Sequence, residues 1–209
     1  MPDPLRPRLI AITDTLVAPR GVLEARLEVL LAAAAPGSVM VQLRDRQLPD
    51  RERIALGREL RALTRRHRQL FAVNDRCDLA FLLETDGLHL GEQSITPGDA
   101  RKLVGPLWIS RACHEPSRAE PLGADALVLA PVLAPRKGAA ALGLLALGTA
   151  KAALGANALL YALGGVDAAS AAACLAAGAD GIAAIGAVLD GRDVLPLLEA
   201  LGIRSPRAL

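Results

Sequence analysis

Aromatic residues are scarce in this sequence, which has one Trp, one Tyr and two Phe among 209 residues. Hydrophobic residues nevertheless make up 52% of the chain, so a core must be built mainly from Ala, Leu, Val and Ile. Apolar runs of membrane-spanning length are missing, because the stretch at 139–147 is short and contains Gly143. Residues 1–8 are rich in Pro and charge and lack the apolar run of a signal peptide. We therefore expect neither a membrane-bound nor an exported protein.

Paired cysteines and an excess of one charge are also absent. Cys77, Cys113 and Cys174 are far apart and form no Cys-x-x-Cys pair, so neither a zinc site nor a disulfide framework is predicted. The formal net charge is +2, which is too small to indicate nucleic acid or a membrane surface as a partner. We expect reduced thiols, a cytoplasmic location and a small-molecule ligand.

The chain alternates regularly between short apolar segments and helical patterns. Asp50 is expected to cap one of the helices, and Thr96 followed by Pro97 is a strong helix start. Eight segments have the composition of strands, at residues 9–13, 39–43, 70–73, 88–90, 107–110 and 127–129 and within 160–166 and 178–186. This alternation predicts an α/β fold, a single (β/α)8 TIM barrel that forms one domain over residues 1–209.

Corners of similar composition support the barrel. A helix ends, a small residue turns the chain and an apolar strand follows at Thr85-Asp86-Gly87, Gly123-Ala124-Asp125 and Gly178-Ala179-Asp180. A doubly wound open sheet is the alternative fold. Its G-x-G-x-x-G pattern after the first strand is missing here.

Glycines follow the last two predicted strands. Gly164 and Gly165 end the seventh strand, and Ile185 and Gly186 end the eighth. In a (β/α)8 barrel the loops after strands seven and eight commonly bind phosphate through backbone N–H groups. These four residues are therefore predicted to bind a phosphorylated ligand. The alternative interpretation is that the glycines only allow a helix and a strand to pack closely.

Polar residues follow most of the other strands, at the end of a barrel where active sites lie. Gln42, Arg44 and Arg46 occupy alternating positions, so their side chains share a direction if the segment is extended. The remaining candidates are Thr13, Asp14, Asn74, Asp75, His89, Glu92, Ser110, Arg111, His114 and Lys137. His89 is interpreted as a core histidine, because it lies within a strand.

These motifs, in their order and spacing, resemble the thiamine phosphate synthase and thiazole tautomerase superfamily over nearly the whole chain. The motifs that carry the resemblance are residues 42–46, 74–80, 86–91, 123–125 and 131–133, Lys137, Gly164-Gly165 and residues 178–181. The synthase branch joins a pyrimidine diphosphate to a thiazole phosphate with release of diphosphate, and it uses Mg²⁺. The tautomerase branch moves a proton on a thiazole phosphate and needs no metal.

The synthase roles carry over unevenly. The resemblance implies that Asp75 holds Mg²⁺, but Ser94 stands where a second aspartate is expected, with Glu92 two residues away. Ala112 replaces a serine, and residues 134–136 replace a loop rich in threonine. The residues that would hold the pyrimidine diphosphate are Gln42, Arg44, Arg46, Asn74 and Lys137. Arg46 replaces a lysine and differs from it in geometry.

Because the diphosphate site looks degraded while the phosphate loops are intact, the sequence favours the tautomerase branch. His114 aligns with the proton shuttle of that branch, and imidazole suits proton transfer near neutral pH. Arg44 and Lys137 are candidates to hold the carboxylate of the thiazole precursor; the alternative for Arg44 is a structural ion pair. The expected cofactor is none for a tautomerase and Mg²⁺ for a synthase. A non-catalytic regulator that binds a phosphorylated metabolite is a third hypothesis, and the resemblance makes a homodimer a further expectation.

Overall fold

The computed structural model describes residues 5–135, 138–156 and 158–206. Eight parallel strands form a closed barrel in which each strand pairs with its sequence neighbours and β1 pairs with β8. The strands are β1 (Leu9–Ile12), β2 (Val39–Leu43), β3 (Leu70–Asn74), β4 (Gly87–Leu90), β5 (Trp108–Cys113), β6 (Ala126–Leu129), β7 (Leu159–Leu163) and β8 (Gly181–Ala184). The predicted (β/α)8 barrel is confirmed.

Helices cover the outside of the barrel. They are α1 (Arg20–Ala33), α2 (Asp50–Arg66), α3 (Cys77–Leu82), α4 (Pro97–Val104), α5 (Leu145–Leu154), α6 (Ala168–Ala176), α7 (Gly186–Leu189) and α8 (Leu195–Ala200). A 3₁₀ turn, Pro116–Arg118, replaces a helix between β5 and β6. None of the helices in the described ranges is long and apolar enough to cross a membrane.

The core has two parts, because successive strand residues point to opposite faces. Leu9 and Ala11 of β1 belong to the large cluster between strands and helices, whereas Ile10 and Ile12 belong to the smaller cluster inside the barrel. Trp108 and Tyr161 close the lower end of this interior, with their rings edge to face at 6.1 Å. Buried side chains of this cluster therefore pack the interior of the barrel.

The three aspartate corners fix the lower rim by one repeated arrangement. Each aspartate accepts a hydrogen bond from the second N–H of the preceding strand and pairs with a cation on the helix before that strand. The sets are Asp86 with Phe71 and Arg61, Asp125 with Ile109 and Arg101, and Asp180 with Leu160 and Lys151. The aspartates at these corners therefore stabilise the barrel at the end opposite the mouth.

Some local predictions were wrong. Asp50 does not cap α2; it is the first helical residue, and Pro49 occupies the cap position with no side-chain hydrogen bond. Ser110 and Arg111 do not follow β5 but lie within it, since that strand continues to Cys113. The helix start at Thr96 is confirmed, because its side chain accepts a hydrogen bond from the Asp99 amide.

Candidate active site

A cavity of about 370 Å³ opens at the C-terminal ends of the strands. Most of the polar residues that were predicted to meet there do so. The cavity is lined by Gln42, Arg44 and Arg46 after or within β2, by Asn74 of β3, by His89 of β4, and by Glu92, Ala112 and His114. These side chains therefore share one open space. Five other residues that were predicted to meet there do not line it: Thr13, Asp14, Asp75, Ser110 and Arg111. Lys137 lies outside the described residues.

Asp75 is the most strongly hydrogen-bonded carboxylate at this mouth. Its Oδ1 accepts from the Gly91 amide at 2.8 Å and from Ser94 Oγ at 2.5 Å. Its Oδ2 accepts from Asn74 Nδ2 at 2.7 Å and from Arg46 Nη2 at 2.5 Å. Burial by itself would raise the pKa of Asp75, but the hydrogen bonds from Ser94 and Gly91 and the charge of Arg46 outweigh it and lower the pKa. Asp75 is therefore a charged carboxylate at neutral pH.

Few side chains near Asp75 could bind a hard cation. Ser94, which replaces the expected second carboxylate, does lie against Asp75, so the position is correct and only the charge is missing. No group of three or more His, Cys, Asp or Glu side chains that could hold a metal occurs in the described part of the chain. Mg²⁺ commonly takes one or two carboxylates and completes its shell with substrate phosphates and water. Asp75 and the Ser94 hydroxyl fit such a site when a diphosphate supplies further oxygens.

Two other residues of the β2 segment position the site. Gln42 Nε2 donates to Asn74 Oδ1 at 3.2 Å, which links two neighbouring strands inside the barrel. Arg44 lines the cavity and also pairs with Asp14, with 3.3 Å between Nη1 and Oδ2. Arg44 therefore belongs to a structural ion pair, and its place in the cavity lining leaves its role as a ligand-binding residue a prediction.

His114 forms a pair that the sequence did not predict. Its Nδ1 lies 2.7 Å from Oε2 of Glu92, and the side chains are 55% and 41% exposed. Because a carboxylate only accepts hydrogen bonds, the tautomer that suits this contact has its proton on Nδ1 and leaves Nε2 as an acceptor. Arg111 Nη2 donates to the Glu92 carbonyl at 2.9 Å and holds the loop in place. The pair could move a proton at the mouth of the cavity.

A second, smaller cavity of about 210 Å³ lies beside the first. Gly164, Gly165, Ile185 and Gly186 all line it, and Ile185 lines both cavities. The loop after β6 approaches closely: a Cβ on Gly165 would lie 2.6 Å from the Cβ of Ala134. The glycines therefore allow close packing and also line a cavity, so the two interpretations of the sequence are compatible.

Burial lowers the pKa of His89 to about 4, and its Nδ1 lies 2.9 Å from Ser110 Oγ. The unfolded chain, with the ordinary histidine value of 6.5, therefore binds this proton more readily than the folded protein. The contribution of His89 to stability is complete above about pH 6.5 and is lost as the pH falls toward 4.

We expect the free energy of unfolding to fall by about 2 kcal/mol more between pH 7 and pH 5 in the wild type than in His89→Asn. Urea denaturation at the two pH values measures this difference. Equal losses in the two proteins would show that His89 is protonated equally in the folded and unfolded states.

Comparisons with known proteins agree with the fold and the motifs. A family model described as thiamine monophosphate synthase matches residues 9–188. The chain belongs to this family. Relatives named thiamine-phosphate synthase include one from Moorella thermoacetica, 41% identical over 175 residues, which cover 80% of this chain and 82% of the relative. Another, from Methanoculleus marisnigri, is 36% identical over 200 residues and 92% of each chain.

A solved structure of a family member supports the same assignment. Thiamine phosphate pyrophosphorylase from Pyrococcus furiosus superposes with a TM-score of 0.81 and 28% identity, covering 95% of this chain and 96% of that one. The resemblance noted in the sequence is therefore confirmed at the level of family and fold, and the chain is an enzyme of the thiamine monophosphate synthase family. The names of the curated relatives favour the synthase alternative over the tautomerase interpretation.

Proposed function

We propose that this protein is a thiamine-phosphate synthase, which joins a pyrimidine diphosphate to a thiazole phosphate and releases diphosphate. The observation that carries the proposal is the pair of adjoining cavities. One is lined by charged and amide side chains, including Arg46 and Asn74, which both donate to Asp75. The other is lined by Gly164, Gly165, Ile185 and Gly186. A two-substrate coupling reaction needs two adjacent sites of this kind, and the named relatives carry the same activity in their names.

The charges of the larger cavity suit a diphosphate leaving group. The bond between the pyrimidine carbon and the diphosphate oxygen breaks, and a bond to the thiazole nitrogen forms. Negative charge then collects on the departing diphosphate, and preorganised cations stabilise it. Arg44 and Arg46 both line the cavity and supply two guanidinium groups, which match phosphate oxygens in geometry. Gln42 and Asn74 add amide donors from neighbouring strands.

Asp75, with the Ser94 hydroxyl, would hold Mg²⁺. When bound, the metal neutralises diphosphate charge as a Lewis acid. Arg46 occupies one oxygen of Asp75 in this structure, so the arginine must give up part of this contact when a diphosphate and the metal bind. The lowered pKa of Asp75 keeps the carboxylate ready for a cation. The residues that line the two cavities would orient the two substrates against each other.

Incubation with both substrates, with and without Mg²⁺, tests the proposal. We expect thiamine phosphate and diphosphate to form in the presence of Mg²⁺. Isomerisation of the thiazole phosphate without coupling would support the tautomerase alternative. Binding of phosphorylated ligands with no turnover would support the non-catalytic alternative. The homodimer and the cytoplasmic location expected from the sequence stay predictions.

The tautomerase activity stays as a second candidate because of the contact between His114 and Glu92. In His114→Asn we expect any tautomerisation to fall by about 10²-fold or more, the contribution of a general acid–base, and coupling to fall by less than about tenfold. Coupling depends on stabilising a leaving diphosphate, which a base near the rim does not do. Parallel assays of the two reactions on the same preparation measure the split.

Glu92→Gln is the matched variant for that test, because it keeps the shape of the side chain and removes the charge beside the imidazole. Like His114→Asn, it should lower tautomerisation more than coupling, but both losses should be smaller. A loss of coupling of about 10²-fold in His114→Asn would show that His114 takes part in the coupling step.

A further inference from the structure

The small glycine-lined cavity has acidic neighbours that are unexpected for a phosphate site. Asp167 lines it directly and caps α6, accepting hydrogen bonds from the Ala169 and Ser170 amides. Asp190 lies close by, because its Oδ2 would be 3.8 Å from a Cβ placed on Gly186. A phosphate monoester carries about −1.5 to −2 charges near pH 7. Two carboxylates at this distance would repel it unless a cation compensates them.

Arg192 is that cation. Its Nη1 lies 3.2 Å from Asp167 Oδ2, and its Nη2 and Nε lie 2.6 and 2.9 Å from Asp190 Oδ2. The guanidinium thus bridges the two carboxylates at the rim of the cavity, and its side chain is 60% exposed. These bonds use three of the five N–H donors of an arginine, which leaves two for a further acceptor. Among the described residues that line this cavity, Arg192 is the one with a positive charge.

We propose that Arg192 binds the phosphate group of the thiazole substrate and makes the enzyme select the phosphorylated thiazole over the free alcohol. This assignment of substrate selectivity rests on the proposed synthase function. Backbone N–H groups of the two loops would orient the phosphate, and Arg192 would supply the charge that these loops lack. The guanidinium acts in two ways, because it screens Asp167 and Asp190 and also donates hydrogen bonds to phosphate oxygens.

The loop that follows α7 places Arg192 at the smaller cavity. Asp190 ends α7, and its Oδ2 accepts from Arg192 two residues later, which turns the guanidinium back toward Gly186 and Ala187. Asp167 accepts a hydrogen bond from Arg192 on Oδ2, while its Oδ1 accepts one from the Ser170 amide of α6. The carboxylates therefore hold the arginine at the cavity before a ligand arrives, and this reduces the conformational entropy lost on binding.

Two measurements on Arg192→Gln test the proposal. Isothermal titration with inorganic phosphate should show affinity about 10- to 100-fold weaker than in the wild type, the range expected for loss of a charge-assisted hydrogen bond. In steady-state coupling assays the KM for the thiazole phosphate should rise by a similar factor, while the KM for the unphosphorylated thiazole alcohol stays unchanged. Arg192→Lys should retain part of the affinity, since it keeps the positive charge but lacks the planar guanidinium that donates paired hydrogen bonds to phosphate.

Arg65→Gln is the matched control, because Arg65 is also an exposed arginine in an ion pair, with Glu84, and does not line either cavity. Its phosphate affinity should equal that of the wild type. Adding Asp190→Asn to Arg192→Gln should recover part of the lost affinity, because it removes a negative charge that the arginine no longer screens.

Unchanged phosphate affinity in Arg192→Gln would overturn the proposal, and so would an equal rise in KM for the phosphorylated and unphosphorylated thiazoles. Phosphate titration does not require turnover. A protein that fails to couple the two substrates but loses phosphate affinity in Arg192→Gln would therefore refute the proposed synthase function and leave Arg192 as the phosphate ligand.

Discussion

Asp75→Asn should lower kcat/KM for coupling by about 10³-fold, because it removes the charge that anchors Mg²⁺ and so weakens stabilisation of the leaving diphosphate. The substitution also disturbs the local hydrogen bonds. The carboxylate accepts from four donors, from Gly91, Ser94, Asn74 and Arg46. An amide in its place presents an NH₂ group to two of them, so a donor faces a donor.

Asp78→Asn is the matched control for this prediction. Asp78 is also a carboxylate bound to an arginine, Arg76, but it is 63% exposed, and Arg76 does not line the cavity, whereas Arg46, the partner of Asp75, does. Its kcat/KM should stay within about twofold of the wild type, the ordinary outcome at an exposed ion pair. Urea denaturation of both variants shows whether each is folded before its activity is compared.

Titration of Mg²⁺ at fixed substrate concentrations shows whether Asp75 acts through the metal. The Mg²⁺ concentration for half-maximal coupling should rise in Asp75→Asn. It should fall in Ser94→Asp, which places a second carboxylate against Asp75, because a divalent cation is attracted to both carboxylates and offsets their mutual repulsion. Coupling by Asp75→Asn within tenfold of the wild type, at the same Mg²⁺ concentration, would show that Asp75 is not the metal ligand.

The fold was predicted from local periodicity in the sequence. Short apolar segments alternate with helical patterns, which predicts a parallel sheet covered by helices, and the missing G-x-G-x-x-G pattern favoured the closed barrel over a doubly wound open sheet. The aspartate corners were recognised by composition, but their partners were not. Arg61 pairs with Asp86 across 25 positions, and which face of α2 meets that corner depends on how the helix packs on the barrel.

The part of the site that was predicted consists of residues at the strand ends. Gln42, Arg44, Arg46 and Asn74 line one cavity because parallel strands all end at the same rim. Contacts made by loops could not be predicted in the same way. Arg192 reaches the smaller, glycine-lined cavity from the loop after α7, and no periodic pattern in the sequence indicates where such a side chain points.

Gly165→Ala should lower the free energy of unfolding by about 3 kcal/mol, combining about 1–2 kcal/mol for a left-handed residue with about 1–3 kcal/mol for overpacking. Gly165 has φ +73, and a Cβ there would lie 2.6 Å from Ala134 Cβ and 2.8 Å from the Ala134 amide nitrogen. Relief of this clash requires the loop after β6 to move away from β7. That loop is tied to β7 by the hydrogen bond from the Leu133 amide to the Gly164 carbonyl, at 2.8 Å.

Gly202→Ala separates backbone strain from the clash. Gly202 has φ +67 and follows α8, and a Cβ there would meet no atom within 4 Å. It should therefore lower the free energy of unfolding by only about 1 kcal/mol and leave phosphate binding unchanged. Urea denaturation and phosphate titration of the two variants give both quantities. Because Gly165 also lines the cavity that is proposed to bind phosphate, its alanine variant should bind phosphate about 10- to 100-fold more weakly, the effect of a displacement near 1 Å. A destabilised Gly165→Ala that binds phosphate as tightly as Gly202→Ala would show that the glycine serves packing alone, and the phosphate site would have to lie elsewhere at the mouth.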